Sequence, residues 1–251
     1  MGEPATPIPP ASGPILSIVI PVYNERDVWR SLVDRVLAAD LPGLRRELIL
    51  VDDGSSDGTR DQLGLYRPAL RAGDSVAVLY HPVNRGKGAA LRTGFTAASG
   101  DLVLVQDADL EYDPRDYGAL LAPLLGGEAD VVYGCRFRHG RRIGMPLNYL
   151  ANRALTCLFN LLHGTSLNDM ETCYKVFRRP FLQAAPLRQD RFGFEPEITA
   201  AVVDAGIRIH EVPIHYHPRS REMGKKITWK DGFAAIACLL RDAARSWRAR
   251  W

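Results

Sequence analysis
Apolar positions along this chain come in two alternating textures. Short, mostly apolar runs, Ile15–Val22 (ILSIVIPV), Glu47–Val51 (ELILV), Val76–Tyr80 and Leu102–Val105 (LVLV), read as strands, the first of a buried type and the last, unbroken, of the kind buried on both faces. Between them lie stretches with helix-start residues. Asn24 is expected to cap a helix reaching about Ala39, and further helices are expected over Thr59–Leu70, Gly88–Ala98 and Pro114–Leu125, the last led by Asp113. Asp130–Arg136 (DVVYGCR) reads as another strand. Strands separated by helices imply right-handed crossovers and a mostly parallel central sheet flanked by helices, an α/β fold. Ligands on such sheets bind beyond the carboxyl ends of the strands. The polar clusters of this half fall at those ends: Tyr23-Asn24-Glu25, Asp52-Asp53, Asn84–Gly88 and Asp107–Glu111.

The second half is less regular. Leu147–Leu162 reads as a helix whose Leu and Phe residues are core. Phe192-Gly-Phe-Glu-Pro-Glu197 opens a second helix, where Glu195 and Glu197 suit the positive end and Glu197 is read as structural. Ile207–His217 alternates as a strand, and Pro213 places it at an edge or a bulge. His215 and His217 share a face there, but no third nitrogen or sulfur ligand stands in register for zinc. Trp229–Trp251 reads as an amphipathic helix with Phe233, Ile236, Leu239 and Leu240 on its apolar stripe. It ends in Arg241, Arg245, Trp247, Arg248, Arg250 and Trp251. Such a helix either docks on the domain or lies against anionic lipid. The expected division is a flexible tail over 1–14, a single domain over 15–228 with halves of about 15–128 and 129–228, and the basic helix 229–251.

Composition narrows the partners. With 251 residues and 46% hydrophobic content the chain buries a full core. A net charge of +3, from 32 basic and 29 acidic residues, gives no bulk-charge argument for nucleic acid. The scattered Cys135, Cys157, Cys173 and Cys238 form no Cys-x-x-Cys pair and read as reduced, mostly buried thiols of a cytoplasmic protein. The Pro- and Ala-rich start lacks the pattern of a signal peptide, and no apolar stretch is long enough to span a bilayer.

Candidate chemistry centres on Asp107, Asp109 and Glu111, two residues apart where a buried strand emerges into a loop. Extended backbone would point all three the same way. Oxygen ligands on one side suit Mg2+ or Mn2+, which take one or two protein carboxylates and complete their shell with water and substrate phosphates. Gly86-Lys87-Gly88 serves either as a simple turn or, with Arg85 and Lys87, as a phosphate-facing one. The first strand is followed by Pro-Val-Tyr-Asn-Glu-Arg with no G-x-G-x-x-G, and G-x-x-x-x-G-K-[ST] is absent, which argues against dinucleotide and P-loop sites.

Ile-Pro-Val-Tyr-Asn-Glu (20–25), Val-Asp-Asp-Gly-Ser-Ser-Asp-Gly-Thr (51–59) and Gln-Asp-Ala-Asp-Leu (106–110), in that order, resemble a family 2 glycosyltransferase of GT-A fold. More narrowly they resemble the dolichyl-phosphate mannose synthase and polyprenyl-phosphate glycosyltransferase branch. That resemblance implies that Pro21, Tyr23, Glu25, Val51 and Asp53 hold the nucleotide base and ribose, and that Asp107, Ala108 and Asp109 line the diphosphate site. It implies Asp109 and Glu111 as metal ligands, Glu111 standing where the branch often has Gln. Gly134-Cys-Arg-Phe137 resembles a strand end whose Arg, here Arg136, faces phosphates; Arg138, His139, Arg141 and Arg142 follow it. Asn168–Lys175 resembles the branch's Asp-x-Thr-Gly-Ser-Phe-Arg segment with Asp169 as the match, while Glu171-Thr172 departs from the usual pair. Pro218–Ile227 resembles a basic loop in which Arg219 and Lys225 clamp the donor diphosphate, with Lys226 an equal candidate for Lys225.

The resemblance therefore implies an inverting transfer of a sugar from a nucleotide-diphosphate sugar, GDP-mannose or a UDP-hexose, to a polyprenyl or dolichyl monophosphate at the inner membrane face. Arg136, with Arg138 or Arg153, would position that acceptor. A hydroxyl acceptor would instead need Asp169 or Glu195 as a base. The other alternative is a non-catalytic nucleotide-sugar-binding subunit of a membrane-protein partner.

Overall fold
The computed structural model describes residues 13–137, 146–219 and 236–241. The strands are β1 (Ile15–Val22), β2 (Arg45–Asp52), β3 (Ser75–Tyr80), β4 (Leu102–Val105), β5 (Val131–Cys135), β6 (Lys175–Arg178) and β7 (Ile209–Pro213). They form a seven-stranded sheet in the order β3-β2-β1-β4-β6-β5-β7. β1 pairs in parallel with β2 and β4, β2 with β3, and β5 with β7, whereas β6 runs antiparallel to both β4 and β5. Strand order reverses between β1 and β4, so the crevice outside their carboxyl ends is the place where such a sheet binds ligands.

The apolar runs of β1 and β4 explain the centre. Leu16, Ile18, Val19 and Ile20 of β1 and all four residues of β4 are at most 2% exposed, since helices cover both faces. One of these helices, α1 (Trp29–Ala38), buries Trp29, Leu32, Val33 and Val36, an i, i+3, i+4, i+7 stripe. α2 (Thr59–Leu65), α3 (Lys87–Ala97) and α4 (Tyr117–Leu125) follow their strands. A 3-10 turn over Pro114–Asp116 leads into α4, with the Asp113 carboxylate accepting from Arg115 N at 3.0 Å. A second core cluster joins α5 (Pro146–His163) and α7 (Phe194–Asp204) through Leu155, Phe159, Met170, Ala200 and Leu239.

Several expectations need correction. Asn24 caps no helix: its φ is 49°, its side chain accepts from Ser56 N at 2.8 Å, and α1 begins at Trp29. α2 stops at Leu65 rather than Leu70, because Tyr66 is extended and Arg67 precedes a proline, which disfavours helical backbone. β6 and the short α6 (Arg179–Ala184) carry no periodic signal in the sequence. β7 does lie at the sheet edge, as Pro213 suggests. Residues 236–241 are helical, but of the expected stripe Leu239 is buried while Ile236 and Leu240 are exposed; the buried neighbour of Leu239 is Cys238, which that stripe did not include. On α5, Leu155 and Phe159 are core, yet Leu150 and Leu161 face solvent. Cys157 is exposed and the other three thiols are buried. The tail up to residue 12, Arg138, His139, Arg141, Arg142, Lys225, Lys226, Phe233 and the Arg/Trp end beyond Arg241 lie outside the described residues.

Candidate active site
The loops leaving β1 and β2 are laced together. Ser55 Oγ accepts from Asn24 N at 2.9 Å, and Thr59 Oγ1 accepts from Glu25 N at 3.1 Å. Pro21 and Tyr23 stand half-buried at this rim, while Val51 is fully buried beneath it. Asp53, expected at the nucleotide, is 3% exposed and fully engaged. Its carboxylate accepts from Arg85 N at 2.9 Å and Gly86 N at 2.7 Å and lies 2.7 Å from His81 Nδ1. These bonds pin the turn before α3 to the end of β2. That turn needs glycine: Gly86 has φ 102°, and a Cβ there would sit 2.4 Å from Asp190 O.

The pinned turn aims Lys87 into the crevice, where its Nζ lies 2.8 Å from Asp107 and 3.1 Å from Glu195. Burial alone would lower the Lys87 pKa, but the carboxylates of Asp107 and Glu195 hold it well above the usual lysine value. Asp109 has the opposite fate. Burial, then the charges of Asp107 and Glu111, push its carboxyl up to about 7. Glu111 is oriented by the Tyr216 hydroxyl at 2.8 Å and Arg219 N at 2.7 Å. The Arg219 guanidinium donates to both oxygens of Glu25, at 3.1 and 3.0 Å, and reaches within 3.8 Å of Asp109. Ala108 is buried between the two aspartates.

At the end of β5, where the sequence led us to expect the acceptor, Arg136 is 7% exposed and chelated by Asp169 through two 2.7 Å bonds. The guanidinium also lies 5.2 Å from the centre of the Tyr216 ring. Glu195 is gripped between Lys87 and Lys175. Glu197 accepts from Arg188 N and Gln189 N and so secures the 188–189 segment. Arg153 donates to Asn168 O at 2.8 Å, and His215 Nδ1 lies 2.7 Å from Asp116. The crevice thus brings together Glu25, Lys87, Asp107, Asp109, Glu111, Glu195 and Arg219.

Sequence reasoning missed Lys175, a lysine with no exposed surface, and Tyr216, which orients Glu111. Nothing in local spacing distinguishes a buried lysine from a solvated one. Among the described residues no three His, Cys, Asp or Glu side chains converge into an all-protein metal cage. The Asp109–Glu111 pair nevertheless fits a cation that takes one or two carboxylates and completes its shell with phosphate, and the crowding that pushes Asp109 upward is what such a charge relieves.

The same architecture recurs in solved structures. Glucosyl-3-phosphoglycerate synthase from Mycobacterium tuberculosis, a GT-A glycosyltransferase solved with Mn2+, UDP and phosphoglyceric acid, superposes with a TM-score of 0.68 at 24% identity. The match covers 92% of this chain and 79% of that one. The family model described as "Glycosyl transferase family 2" matches residues 17–182, and the chain belongs to that family. Among curated relatives, the dodecaprenyl-phosphate galacturonate synthase of Rhizobium johnstonii is 32% identical over 211 residues, 84% of this chain and 61% of that protein. The undecaprenyl-phosphate 4-deoxy-4-formamido-L-arabinose transferase of Salmonella paratyphi A is 32% identical over 207 residues, covering 81% and 60%. The chain thus spans about three fifths of the length of these curated relatives.

Proposed function
We propose that this chain is a metal-dependent, inverting glycosyltransferase that moves a sugar from a nucleotide-diphosphate sugar to a polyprenyl monophosphate. The names of the relatives support the lipid-phosphate acceptor, and the crevice at the switch point supports the donor. Asp109, with Glu111, would hold Mg2+ or Mn2+. That cation would supply charge neutralisation on the diphosphate. The chain's own cations act beside it: Lys87 and Arg219 face the position where the leaving nucleoside diphosphate gains charge. For Arg219 to do so it must exchange Glu25 for phosphate. Lys225 or Lys226 would complete the clamp.

The names of the relatives carry the phosphate acceptor, and the state of the two bases expected from the sequence agrees with it. Asp169 is chelated by Arg136, and Glu195 lies between two lysines. Neither stands free to take a proton from a hydroxyl. A lipid monophosphate, with a second pKa of about 6, arrives already ionised and needs positioning rather than deprotonation; Arg136, whose Nε and Nη2 are held by Asp169, would have to offer it the remaining Nη1 edge. Among the described residues no helix is long and apolar enough to cross a membrane. The basic, Trp-bearing end of the chain is the proposed contact with the inner membrane face, with or without a membrane-protein partner. A non-catalytic role fits poorly with an intact acidic loop faced by Lys87 and Arg219.

The test is a nucleotide-release assay across GDP- and UDP-sugars, with and without a polyprenyl phosphate. Release that depends on one donor and on the lipid phosphate supports the reading. Release stimulated equally by water-soluble hydroxyl acceptors would overturn it.

A further inference from the structure
The strand register brings one more pair of side chains into the crevice. β6 runs antiparallel to β4 with Leu104 opposite Val176, so the chain leading into β6 passes back along the Asp107–Asp109 loop. There the Cys173 thiol meets both Val105 O, at 4.0 Å, and the Asp107 carboxylate. On its other side β6 pairs with β5; Gly134 N donates to Tyr174 O at 2.8 Å, and Arg136 N donates to Asp169 at 3.0 Å. Glu171 and Thr172 therefore lie between the acidic loop on one strand end and Arg136 on the next. Among the described residues, two of their atoms, Glu171 Oε1 and Thr172 Oγ1, are buried without a hydrogen-bond partner. Burying such atoms unpaired is costly, and a native site that keeps them calls for an explanation.

We propose that Glu171 and Thr172 form the floor of the subsite for the transferred sugar, where they bind hydroxyls of an uncharged hexose. This rests on the donor reading above. A nucleotide at the ends of β1 and β2, with its diphosphate at Asp107 and Asp109, leaves the sugar to extend toward β6 and β5, where this pair lies. A sugar hydroxyl donates and accepts at once, so it can satisfy both a carboxyl and a threonine hydroxyl. Burial, then the charge of Glu195, push the Glu171 carboxyl up to about 7, against the pull of Lys175 and Arg136. At neutral pH a fraction of Glu171 therefore carries a proton to donate, while the ionised fraction only accepts. The nearby cations are already paired, Arg136 with Asp169 and both Lys87 and Lys175 with Glu195, so a uronate placed here finds no cation to spare for its carboxylate, whereas a neutral hexose needs none.

The decisive experiment titrates nucleoside diphosphate and intact nucleotide sugars, neutral hexose and uronate, against wild type, Glu171→Gln, Glu171→Ala and Thr172→Val, each with Mn2+. Glu171→Ala and Thr172→Val are expected to weaken nucleotide-hexose binding by roughly tenfold while leaving nucleoside diphosphate affinity within about twofold. Glu171→Gln should retain most hexose binding and narrow the preference for hexose over uronate. Equal losses for nucleoside diphosphate and nucleotide sugar in folded variants would overturn the subsite, as would unchanged hexose affinity in all three. Absence of turnover in wild type would count against the transferase reading, yet the binding titrations would still decide the subsite.

Discussion

Replacing Asp109 by Asn tests the electrostatic design of the acidic loop. The Asp109 carboxyl titrates near 7 in the folded chain, against an ordinary value of 3.8. The native state thus holds a proton more tightly than the unfolded chain between those values. Stability contributed by the protonated form is present below pH 3.8 and is lost as pH rises toward 7, beyond which the loss levels off. A carboxyl moved from 3.8 to about 7 corresponds to roughly 4 kcal/mol at most, reduced by solvent screening because one fifth of the side chain is exposed. Asp109→Asn should therefore be more stable than wild type at pH 8, by on the order of 1–3 kcal/mol, and nearly equal at pH 4. Urea unfolding across pH 4–8 in EDTA reads this directly. Mn2+ should raise the melting temperature of wild type at pH 8 and leave Asp109→Asn unmoved. Parallel pH profiles for the two proteins would refute the reasoning, since they would mean that Asp109 is ordinarily charged throughout.

Other side chains give separable outcomes. Arg219→Ala should lower kcat on the order of a hundredfold with little change in melting temperature, because its guanidinium acts on developing charge; equal loss of both would make the Glu25–Arg219 pair a structural strap. Asp169→Asn should cost about 3–5 kcal/mol in urea unfolding, since it leaves the Arg136 guanidinium buried without its carboxylate; lost activity at unchanged stability would point to Asp169 as a base after all. Asp53→Asn should lower stability by on the order of 1–2 kcal/mol, because the carboxylate holds Arg85 N and Gly86 N; weakened nucleotide binding with an unchanged melting temperature would give it a purely ligand-facing role. Truncation of Arg245–Trp251 should reduce sedimentation with anionic vesicles, and added salt should do the same in the full chain; salt-independent sedimentation would remove the electrostatic anchor.

What could be read before the fold follows from burial. β1 and β4 match their apolar runs to the residue, because a strand covered on both faces is nearly all apolar; Ser17, the polar residue within β1, is buried but bonded to Glu47 and Gly100 N. The start of α1 was not legible, since Asn24 spends its side chain on Ser56, 32 residues away, rather than on a helix amide. β6 was invisible because Lys175-Val-Phe-Arg178 is short and charged at both ends, and Lys175 is buried only through Glu195 and the carbonyls of Met170 and Thr172. In the site, the two-residue spacing of Asp107, Asp109 and Glu111 was plain. Their partners were not: Lys87 to Glu195 spans 108 positions and Arg219 to Glu25 spans 194, and no local pattern encodes such pairs.

The most direct measurement follows labelled sugar from the donor into an organic phase. Purified protein is incubated with sugar-labelled nucleotide donor, Mn2+ and a polyprenyl phosphate, and the butanol-soluble label is counted. The account predicts label in that phase only when donor, cation and lipid phosphate are all present, and none with Asp109→Asn. Label accumulating in a water-soluble product, or reaching the organic phase equally in EDTA, would contradict it.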